Sequence, residues 1–378
     1  MKRGSIKGLV YRAAIALGAF MLMISCGQSG KVYKLAVGTY GEHIYICEFN
    51  HHTKEFVHKG MMTARNASYA LPAKINGKEY IFAVSESGEE SGVYSFESGK
   101  KVFEQTGYTQ EPGTNPCFTM LYEGGKYMLT ANYSGGSVSA FPVNGGTIGD
   151  LCASVKFNGQ GVDSVRQASP HIHQLKTLHS AGRNWILATD LGTDAIRLIS
   201  AETGKNGLEL THHTDIPCPA GSGPRHMELN ADYTILYCIT ELTGEVLVYD
   251  VNHNADVPTF SLRQRIQADE ANSRGSADIH IHPSGKWIYT SHRLKNDGIA
   301  IFNILPDGSL QKAGYIKTGR HPRNFMITDD GAYLMVACRD DKMIQVFEIL
   351  PNGSLVLTST TLHFEVDKPS SISNFRPF

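Results

Sequence analysis

Residues 223–251 read GPRHMELNADYTILYCITELTGEVLVYDV, which is an apolar strand, a polar turn, a second apolar strand, a short polar loop and a third strand. The same order returns in residues 276–304 and 321–349, and weaker copies begin near residues 68, 116 and 170. Successive copies start 45 to 54 residues apart. Repeats of this period and strand content are typical of the four-stranded blades of a β-propeller.

The last two copies also share a hairpin, FNILPDGSL at residues 302–310 and FEILPNGSL at residues 347–355. Their Asp-Gly and Asn-Gly dipeptides suit turn positions with positive φ. Residues 32–50 supply one more set of strands beside the six copies. The sequence therefore predicts an all-β, seven-bladed β-propeller in one domain, residues 32–378. We expect ring closure to join the N-terminal strand to the last blade.

The first 25 residues are typical of a signal peptide, because four basic residues precede an apolar run at residues 13–24 that is too short to span a bilayer. Directly after it, Met23-Ile24-Ser25-Cys26 resembles a bacterial lipobox with Cys26 as the lipidated residue. Residues 26–31 would then be a lipid-anchored tether. The alternatives are an ordinary cleaved signal peptide or a retained anchor. In each case we expect an exported protein, at the periplasmic or cell-surface face of a membrane.

Composition argues against a nucleic-acid partner. Without the first 25 residues the chain has 31 basic and 36 acidic residues, a net charge of −5. The six cysteines beyond Cys26 have no CxxC spacing, so we expect most to be buried as small apolar residues and not to form a disulfide framework. A closed ring has no free strand edge, which favours a monomer.

Equivalent positions of successive blades form rings around the central channel of a propeller. The first strands of the copies begin at the equivalent positions 68, 116, 170, 224, 277 and 322, and the residues that follow these positions are Tyr69, Cys117, His171, Arg225, Asp278 and Arg323. The end of the next strand is occupied by Glu86, Asn132, Asp190, Glu241, Arg293 and Arg339.

Arginine offers fixed donor forks for carboxylate or phosphate and can stabilise a developing oxyanion. Glu241 beside Arg225 could act as a general base, and His171 or His173 could share that role. The alternative is that these charges are only solvated, or pair with one another across the channel.

Five features together resemble the lactonase family of seven-bladed β-propellers. They are Ser169-Pro-His-Ile-His-Gln174, Gly223-Pro-Arg-His-Met227, Glu241, Asn132-Tyr-Ser-Gly-Gly-Ser137 and His292-Arg293. That family includes propeller-type 6-phosphogluconolactonases and 3-carboxy-cis,cis-muconate lactonising enzymes. The resemblance covers residues 32–375 and implies opening of a small-molecule sugar lactone without a metal or other cofactor.

By this resemblance, the active-site positions are His171, Arg225, Glu241 and Arg293. Water activated by Glu241 or His171 would attack the lactone carbonyl, and the two arginines would hold the oxyanion. The implied substrate contacts are His173, Arg323 and Asn132. An export signal fits an extracellular lactone, so the 6-phospho specificity does not follow from the resemblance. The chain has no GxxxxGK loop, so arginines would have to hold any phosphate.

Other readings of the same residues stay open. The resemblance also allows a muconate-type cycloisomerase. A calcium-dependent lactonase would use oxygen ligands from Glu86, Asn132, Asp190 and Glu241, although arginines facing the same channel argue against it. Two His-x-His pairs, at residues 171–173 and 280–282, have the spacing of zinc ligands on one strand face but lack a recognisable third ligand. A non-enzymatic propeller that binds a partner through its loops is the remaining alternative.

Overall fold

The computed structural model describes residues 31–377 apart from 101 and 206. The predicted signal peptide, Cys26 and all of the predicted tether except Lys31 lie outside the described residues. Within the described part of the chain, no helix combines the length and the hydropathy that crossing a membrane requires.

The described chain consists of β-strands with two short 3₁₀ helices. The helices are Gly88–Glu90 and Arg339–Asp341. The strands are β1 Val32–Tyr40, β2 His43–Asn50, β3 Phe56–Thr63, β4 Tyr69–Ile75, β5 Lys78–Ser85, β6 Gly92–Ser98, β7 Phe103–Gln110, β8 Pro116–Tyr122, β9 Tyr127–Asn132, β10 Ser137–Asn144, β11 Thr147–Ile148, β12 Ala153–Lys156, β13 Ile172–Ser180, β14 Arg183–Asp190, β15 Ala195–Gly204, β16 Gly207–Pro217, β17 Pro224–Leu229, β18 Ile235–Thr240, β19 Glu245–Asn252, β20 Thr259–Gln267, β21 Ser276–Ile281, β22 Trp287–His292, β23 Gly298–Ile304, β24 Leu310–Lys317, β25 Pro322–Ile327, β26 Tyr333–Cys338, β27 Met343–Ile349, β28 Leu355–His363, β29 Lys368–Asn374 and β30 Arg376–Pro377.

These strands form seven sheets, the predicted blades, which are antiparallel apart from the parallel pairing of β30 with β4. From the first blade to the seventh they are β1–β3 with β29, β4–β7 with β30, β8–β12, β13–β16, β17–β20, β21–β24 and β25–β28. The innermost strands β4, β8, β13, β17, β21, β25 and β29 contact one another in that order, and β29 contacts β4. The all-β, seven-bladed β-propeller is confirmed.

Ring closure differs in one detail from the expectation. The seventh blade is complete with β25–β28, and β29, the last long strand, instead supplies the inner strand of the first blade. Its antiparallel pairing with β1 places Lys368 opposite Tyr40 and Asn374 opposite Leu35. The first blade therefore joins both ends of the described chain.

Neighbouring blades pack face to face, which explains why the second and third strands of each blade are mostly apolar. Strand β18, ILYCIT, is buried along its whole length because both of its faces are covered. Trp185 and Leu198 of the fourth blade pack with Leu236 and Tyr249 of the fifth. Full burial of one such side chain contributes roughly 1.5–3 kcal/mol. The outer strand β20 alternates between exposed and half-buried residues, because only one of its faces is covered.

The repeated hairpin docks in the same way in both of its copies. Gly308 and Gly353 have φ angles of 83° and 82°, as the turn dipeptides predict. The hydroxyl of Tyr237 donates to the carbonyl oxygen of Gly308 at 2.8 Å, and Tyr289 donates to Gly353 at the same distance. Each turn is thus fixed to the preceding blade.

The cysteine prediction is confirmed for the described residues. All six are free thiols, and four of them are buried, namely Cys47, Cys117, Cys238 and Cys338.

Candidate active site

Six blades carry an equivalent residue just beyond the end of the second strand. The N–H group of Glu241 donates to the carbonyl oxygen of Gly223 at 2.7 Å, and that of Arg293 donates to Gly275 at 3.1 Å. The same bond links the other four members to residues 66, 115, 171 and 321. We call this set the upper ring: Glu86, Tyr133, Leu191, Glu241, Arg293 and Arg339.

Five of the inner strands begin with a β-bulge. Pro224 pairs with Thr240 and His226 pairs with Ile239, so Arg225 between them is left out of the ladder. The register shifts at the same place in β8, β13, β21 and β25. A bulge turns the extra side chain out of the regular alternation. We call the residues two positions after the accepting carbonyls the lower ring: Ser68, Cys117, His173, Arg225, Ala277 and Arg323.

The register corrects three positions of the first predicted ring. His173, not His171, is equivalent to Arg225, while Ser68 and Ala277 replace Tyr69 and Asp278. His171 precedes its inner strand and is equivalent to His321. The predicted ring started from residues 170 and 277, whereas the residues that pair in the same way as Pro224 are Ile172 and Ser276.

The second predicted ring is one residue off in two blades. Asn132 and Asp190 are the last paired residues of their strands, and the upper-ring positions are Tyr133 and Leu191. Asn132 is fully buried, and its amide donates to Ser137 and Ser139 at 2.9 Å. It is therefore committed to hydrogen bonds inside the third blade and does not belong to the group around Glu241.

Glu241 lies at the centre of the predicted site and pairs with three arginines. Its carboxylate oxygens are 2.5 Å from Arg166 Nη2, 2.8 Å from Arg225 Nε and 3.2 Å from Arg293 Nη2. Burial opposes ionisation of Glu241, but these three guanidinium groups lower its pKa to about 2. We call these four residues the glutamate cluster. At neutral pH its carboxylate is ionised and is a weak base.

Backbone carbonyls fix the two buried arginines of this cluster. Arg293 donates from Nε to the carbonyl oxygen of Gly275 at 2.7 Å, and Arg225 donates from Nη1 to the carbonyl oxygen of Ala277. Burial lowers the pKa of both arginines, and Glu241 opposes that effect. The guanidinium groups are thus held as oriented donors in a nearly dry site.

Arg166 is a site residue that the sequence interpretation missed. It lies in the long connection between β12 and β13, and its side chain is 36% exposed, compared with 2% for Arg225 and 7% for Arg293. Gln167 secures this loop by donating to Asp194 at 2.7 Å, and Asp163 pairs with Arg274. No repeat counterpart exists for this loop, so the repeat alignment gave no signal for Arg166.

His171 contacts the glutamate cluster through Tyr133. The two rings stack with centroids 4.3 Å apart and an interplanar angle of 8°, and the Tyr133 hydroxyl is 3.5 Å from Arg166 Nη2. His171 Nδ1 lies 2.8 Å from the carbonyl oxygen of Tyr133. A carbonyl oxygen only accepts hydrogen bonds, so Nδ1 carries the proton and Nε2 is the unprotonated acceptor of the neutral ring.

The lower ring places Arg323 and His173 beneath this cluster. Arg323 lies over the ring of Tyr40 at 5.0 Å, and its Nη2 is 3.6 Å from Glu86, which also accepts from the Tyr40 hydroxyl at 3.0 Å. His173 is 4% exposed, and its Nδ1 has no hydrogen-bond partner among the described residues. Burial, followed by Arg225 and the other nearby cations, holds the pKa of His173 well below its usual value.

Asp278 and its partners lie further along the inner strands, below the lower ring. His226 Nδ1 is 2.6 Å from Asp278, which is 3.1 Å from His280 Nε2. His280 Nδ1 is 3.0 Å from Glu228, and Glu228 is 2.7 Å from Lys176 Nζ. We call these five residues the floor chain. A cavity of about 920 Å³ lies at this end of the channel, lined by Lys176, Glu228 and His280 together with apolar residues.

The proposed metal ligands are engaged elsewhere. Asp190 is fully buried against Arg197 at 2.7 Å, and His282 Nε2 contacts the carbonyl oxygen of Gly331 at 3.0 Å. Within the described part of the chain, no three His, Cys, Asp or Glu side chains are grouped to hold a metal ion. The donor geometry thus gives no support to the calcium or zinc alternatives.

Comparison with known proteins extends over almost the whole described chain. Residues 34–374 match a family model described as "Lactonase, 7-bladed beta-propeller". A 6-phosphogluconolactonase from Formosa agariphila is 31% identical over 321 residues, which cover 81% of this chain and 88% of that protein.

Solved structures have the same architecture. A candidate 6-phosphogluconolactonase from Bacteroides fragilis matches with a TM-score of 0.84 at 34% identity, over 92% of this chain and 99% of its own. A periplasmic gluconolactonase from Pseudomonas aeruginosa matches with a TM-score of 0.81 at 24% identity, over 91% and 99%. At that identity, the second match shows a common fold only.

Proposed function

The chain belongs to the lactonase family of seven-bladed β-propellers, and on this basis we propose that it is an enzyme that hydrolyses a sugar lactone without a metal ion. The observation that carries the proposal is the glutamate cluster. It holds two buried, backbone-fixed arginines at Glu241, and His171, whose Nε2 is an available acceptor, reaches it through Tyr133. Relatives named 6-phosphogluconolactonase make a gluconolactone or its 6-phosphate the first substrate to test.

His171 is the general base in this proposal. Its Nε2 is unprotonated in the tautomer that the Tyr133 carbonyl selects, and it can take a proton from the attacking water. The same nitrogen can return the proton to the ring oxygen as the lactone opens. Glu241, whose pKa is about 2, is too weakly basic for this task at neutral pH. Its role is to keep Arg225 and Arg293 charged and oriented.

The two arginines stabilise the oxyanion of the tetrahedral intermediate. Arg225 commits Nε and Nη1 to protein acceptors within the described structure, which leaves Nη2 available to substrate. Loss of one such donor typically costs about 3 kcal/mol of activation free energy, or roughly a hundredfold in rate. His173 and Arg323 are proposed as substrate contacts. The backbone carbonyl oxygen of Asn132 accepts from the N–H group of Gly136 at 3.0 Å and so stabilises the turn that carries Tyr133.

Hydrolysis of a lactone panel by residues 28–378 tests this function. The panel consists of gluconolactone, 6-phosphogluconolactone and a muconolactone, with EDTA-treated enzyme and with the variants Glu241→Gln and His171→Gln. We expect turnover that EDTA does not abolish and that both substitutions lower by about a hundredfold or more. Turnover that is lost with EDTA and restored by calcium would contradict the metal-free mechanism. A folded protein inactive on every lactone would favour the partner-binding propeller.

We also propose that residues 1–25 are removed as a signal peptide and that Cys26 carries a lipid. The support is the order of basic residues, apolar run and lipobox-like Met23-Ile24-Ser25-Cys26. Metabolic labelling with a fatty acid should tag the wild-type protein and not the Cys26→Ser variant. Equal labelling of both proteins would rule out Cys26 as the lipidated residue.

A further inference from the structure

His321 lies beside Arg293 but is not a member of the glutamate cluster. Its carbonyl oxygen accepts from the N–H group of Arg339 at 3.1 Å, and its own N–H group donates to Asp297 at 2.9 Å. Its φ of 59° is in the left-handed region, which is uncommon outside glycine. The residue is only 7% exposed. The backbone of His321 is therefore fixed on both sides, and its ring is held inside the protein.

The two ring nitrogens of His321 face groups of opposite kinds. Nε2 is 3.3 Å from Arg293 Nη1, and Nδ1 is 3.4 Å from a carboxylate oxygen of Asp340. A guanidinium group only donates hydrogen bonds, and a carboxylate only accepts them. Nδ1 therefore carries the proton, and Nε2 is the acceptor for Arg293.

The surroundings of His321 favour the neutral ring that this contact requires. Burial is the largest cause of its lowered pKa, and the charges of Arg293, Arg339 and Arg323 lower the pKa further, whereas Asp340 opposes them. A proton on Nε2 would remove the acceptor and would place a second positive charge against Arg293. The contact is thus compatible only with the neutral form of His321.

This contact determines which donor of Arg293 remains for a substrate. Nε donates to the carbonyl oxygen of Gly275, and Nη2 lies 3.2 Å from Glu241 and 3.5 Å from the carbonyl oxygen of Ser276. Nη1 carries two N–H groups, and one of them is directed at His321 Nε2. Within the described chain the other has no partner, so it can donate to a substrate oxygen.

The equivalent histidine of the fourth blade has different contacts. His171 donates from Nδ1 to the carbonyl oxygen of Tyr133, and its Nε2 remains available. In the seventh blade, Nε2 of His321 is occupied by Arg293. One position of the repeat therefore presents a free acceptor nitrogen in one blade and supports an arginine in another.

We infer that His321 is a positioning residue, which accepts from Arg293 Nη1 and thereby directs the second N–H group of that nitrogen at the oxyanion. This inference rests on the proposed lactonase function and adds a residue that acts through Arg293 without touching the substrate. Asp340 contributes by holding the ring in the tautomer with the proton on Nδ1.

Two amide substitutions distinguish the ring nitrogens of His321. The side-chain oxygen of Gln can replace Nε2 as the acceptor for Arg293, whereas the shorter Asn reaches only the place of Nδ1. We expect His321→Gln to keep kcat within about threefold of wild type. His321→Asn should lower kcat by about tenfold or more and change KM by less than about threefold, because the oxyanion contact forms only in the transition state.

His282→Asn is the matched control for loss of a buried histidine. Both ring nitrogens of His282 are also bonded, to the Ser284 hydroxyl at 2.8 Å and to the carbonyl oxygen of Gly331 at 3.0 Å, beyond the other end of the inner strand β21. Its kcat per folded molecule should equal that of wild type. Wild-type kcat in folded His321→Asn, or equal losses in the Gln and Asn variants, would overturn the inference.

A double-substitution cycle then connects the effect with Arg293. In the Arg293→Gln background, adding His321→Asn should lower kcat by less than about threefold, because no guanidinium group is left to direct. A further loss of about tenfold in that background would show that His321 acts independently of Arg293, which contradicts a positioning role.

Nitrogen-15 NMR of histidine-labelled protein tests the contact without turnover. The His321 signals, identified by their absence from His321→Gln, should show a protonated Nδ1 and an unprotonated Nε2 from about pH 8 to about pH 5. A proton on Nε2 in this range would refute the positioning role, whatever the activity. The expected tautomer in a protein that hydrolyses no lactone would support the contact with Arg293 and refute the proposed hydrolysis alone.

Discussion

The glutamate cluster and the floor chain meet on the inner strand β17, which carries Arg225 of the first group and His226 and Glu228 of the second, but they differ in how their charges are balanced. In the glutamate cluster, one carboxylate meets three guanidinium groups, and donors remain available. In the floor chain, acids and bases alternate from His226 to Lys176, and Asp278 also accepts from the N–H group of Phe325 on the next blade. The first arrangement can accommodate an anion, whereas the second is complete by itself.

Within one channel, the glutamate cluster is therefore suited to binding, whereas the floor chain stabilises the fold. Neighbouring blades are joined at the level of Asp278 by repeated bonds, since Gln174 accepts from the N–H group of Met227 and Asn324 accepts from that of Ile372. Buried charge alone is therefore a poor guide to function. Charges that are not balanced by partners, together with donors that remain available, indicate a binding site. Four substitutions test this difference between the glutamate cluster and the floor chain.

Asp278→Asn should have the largest effect, on stability. The substitution removes the shared partner of His226 and His280, and breaking a buried pair typically costs about 3–5 kcal/mol. Chemical denaturation measures the free energy of unfolding, and activity of the folded fraction should stay within about threefold of wild type. A stable variant with much lower activity would remove the distinction between the two groups.

His280 should make stability depend on pH. Burial opposes its protonation, but Asp278 and Glu228 raise its pKa to about 9, above the unfolded value of about 6.5. The folded state therefore binds the proton more tightly, and the resulting stabilisation, roughly 3 kcal/mol, is complete below pH 6.5 and is lost as pH rises through 9.

Denaturation of wild type and His280→Gln between pH 6 and 10 measures this dependence. The difference in unfolding free energy should be largest at the acid end and shrink toward pH 10. Because His226, Asp278, Glu228 and Lys176 face His280, the comparison with the variant isolates its contribution. A difference that grows with pH would contradict the assigned protonation.

Arg166→Gln should lower kcat/KM by about tenfold and leave stability within about 1 kcal/mol. Arg166 is the exposed, loop-borne partner of Glu241, and exposed pairs contribute little to folding. Arg225 and Arg293 keep Glu241 ionised in its absence, so the effect should be smaller than that of Glu241→Gln. Steady-state kinetics measures this decrease in kcat/KM, with Arg320→Gln as the control because this exposed arginine pairs with Asp341. An inactive Arg166→Gln variant would instead mean that the loop is part of the catalytic machinery.

Lys176→Gln should have the smallest effect, below about 1 kcal/mol in unfolding free energy. Its side chain is 31% exposed at the end of the floor chain, where water can replace it as a partner of Glu228. Thermal unfolding and lactone turnover should both resemble wild type. A loss as large as that of Asp278→Asn would mean that the floor chain acts as a single unit.

The repeat made the architecture predictable because each blade needs the same strands and turns. Members of the two rings were predicted correctly only in blades where the first inner-strand residue was identified and the spacing from it is regular. Examples are Arg225, Arg323, Glu241 and Arg293. His173 was assigned to substrate binding, but its equivalence to Arg225 depends on where a bulge falls, which the residue types do not reveal. Arg166 was out of reach because its loop has no counterpart in other blades.

The partners of predicted residues were the least predictable part. The sequence places Asp278 in a ring of charges, but only the structure shows that two histidines and Asn324 surround it. Similarly, the sequence left Glu241 and His171 equivalent as bases. The three arginines around Glu241 and the carbonyl oxygen beside His171 distinguish them, and these contacts come from four separate segments of chain.

The direction of β1 determines how the enzyme would be oriented at a membrane. Tyr40, at the end of β1, contacts Glu86 of the upper ring, and the strand pairing puts Val32 at the far end of the channel. A tether of residues 26–31 spans at most about 20 Å. A lipid on Cys26 would hold the propeller by that far end, with the upper ring pointing away from the bilayer. Substrate would then arrive from the aqueous compartment and not along the lipid surface.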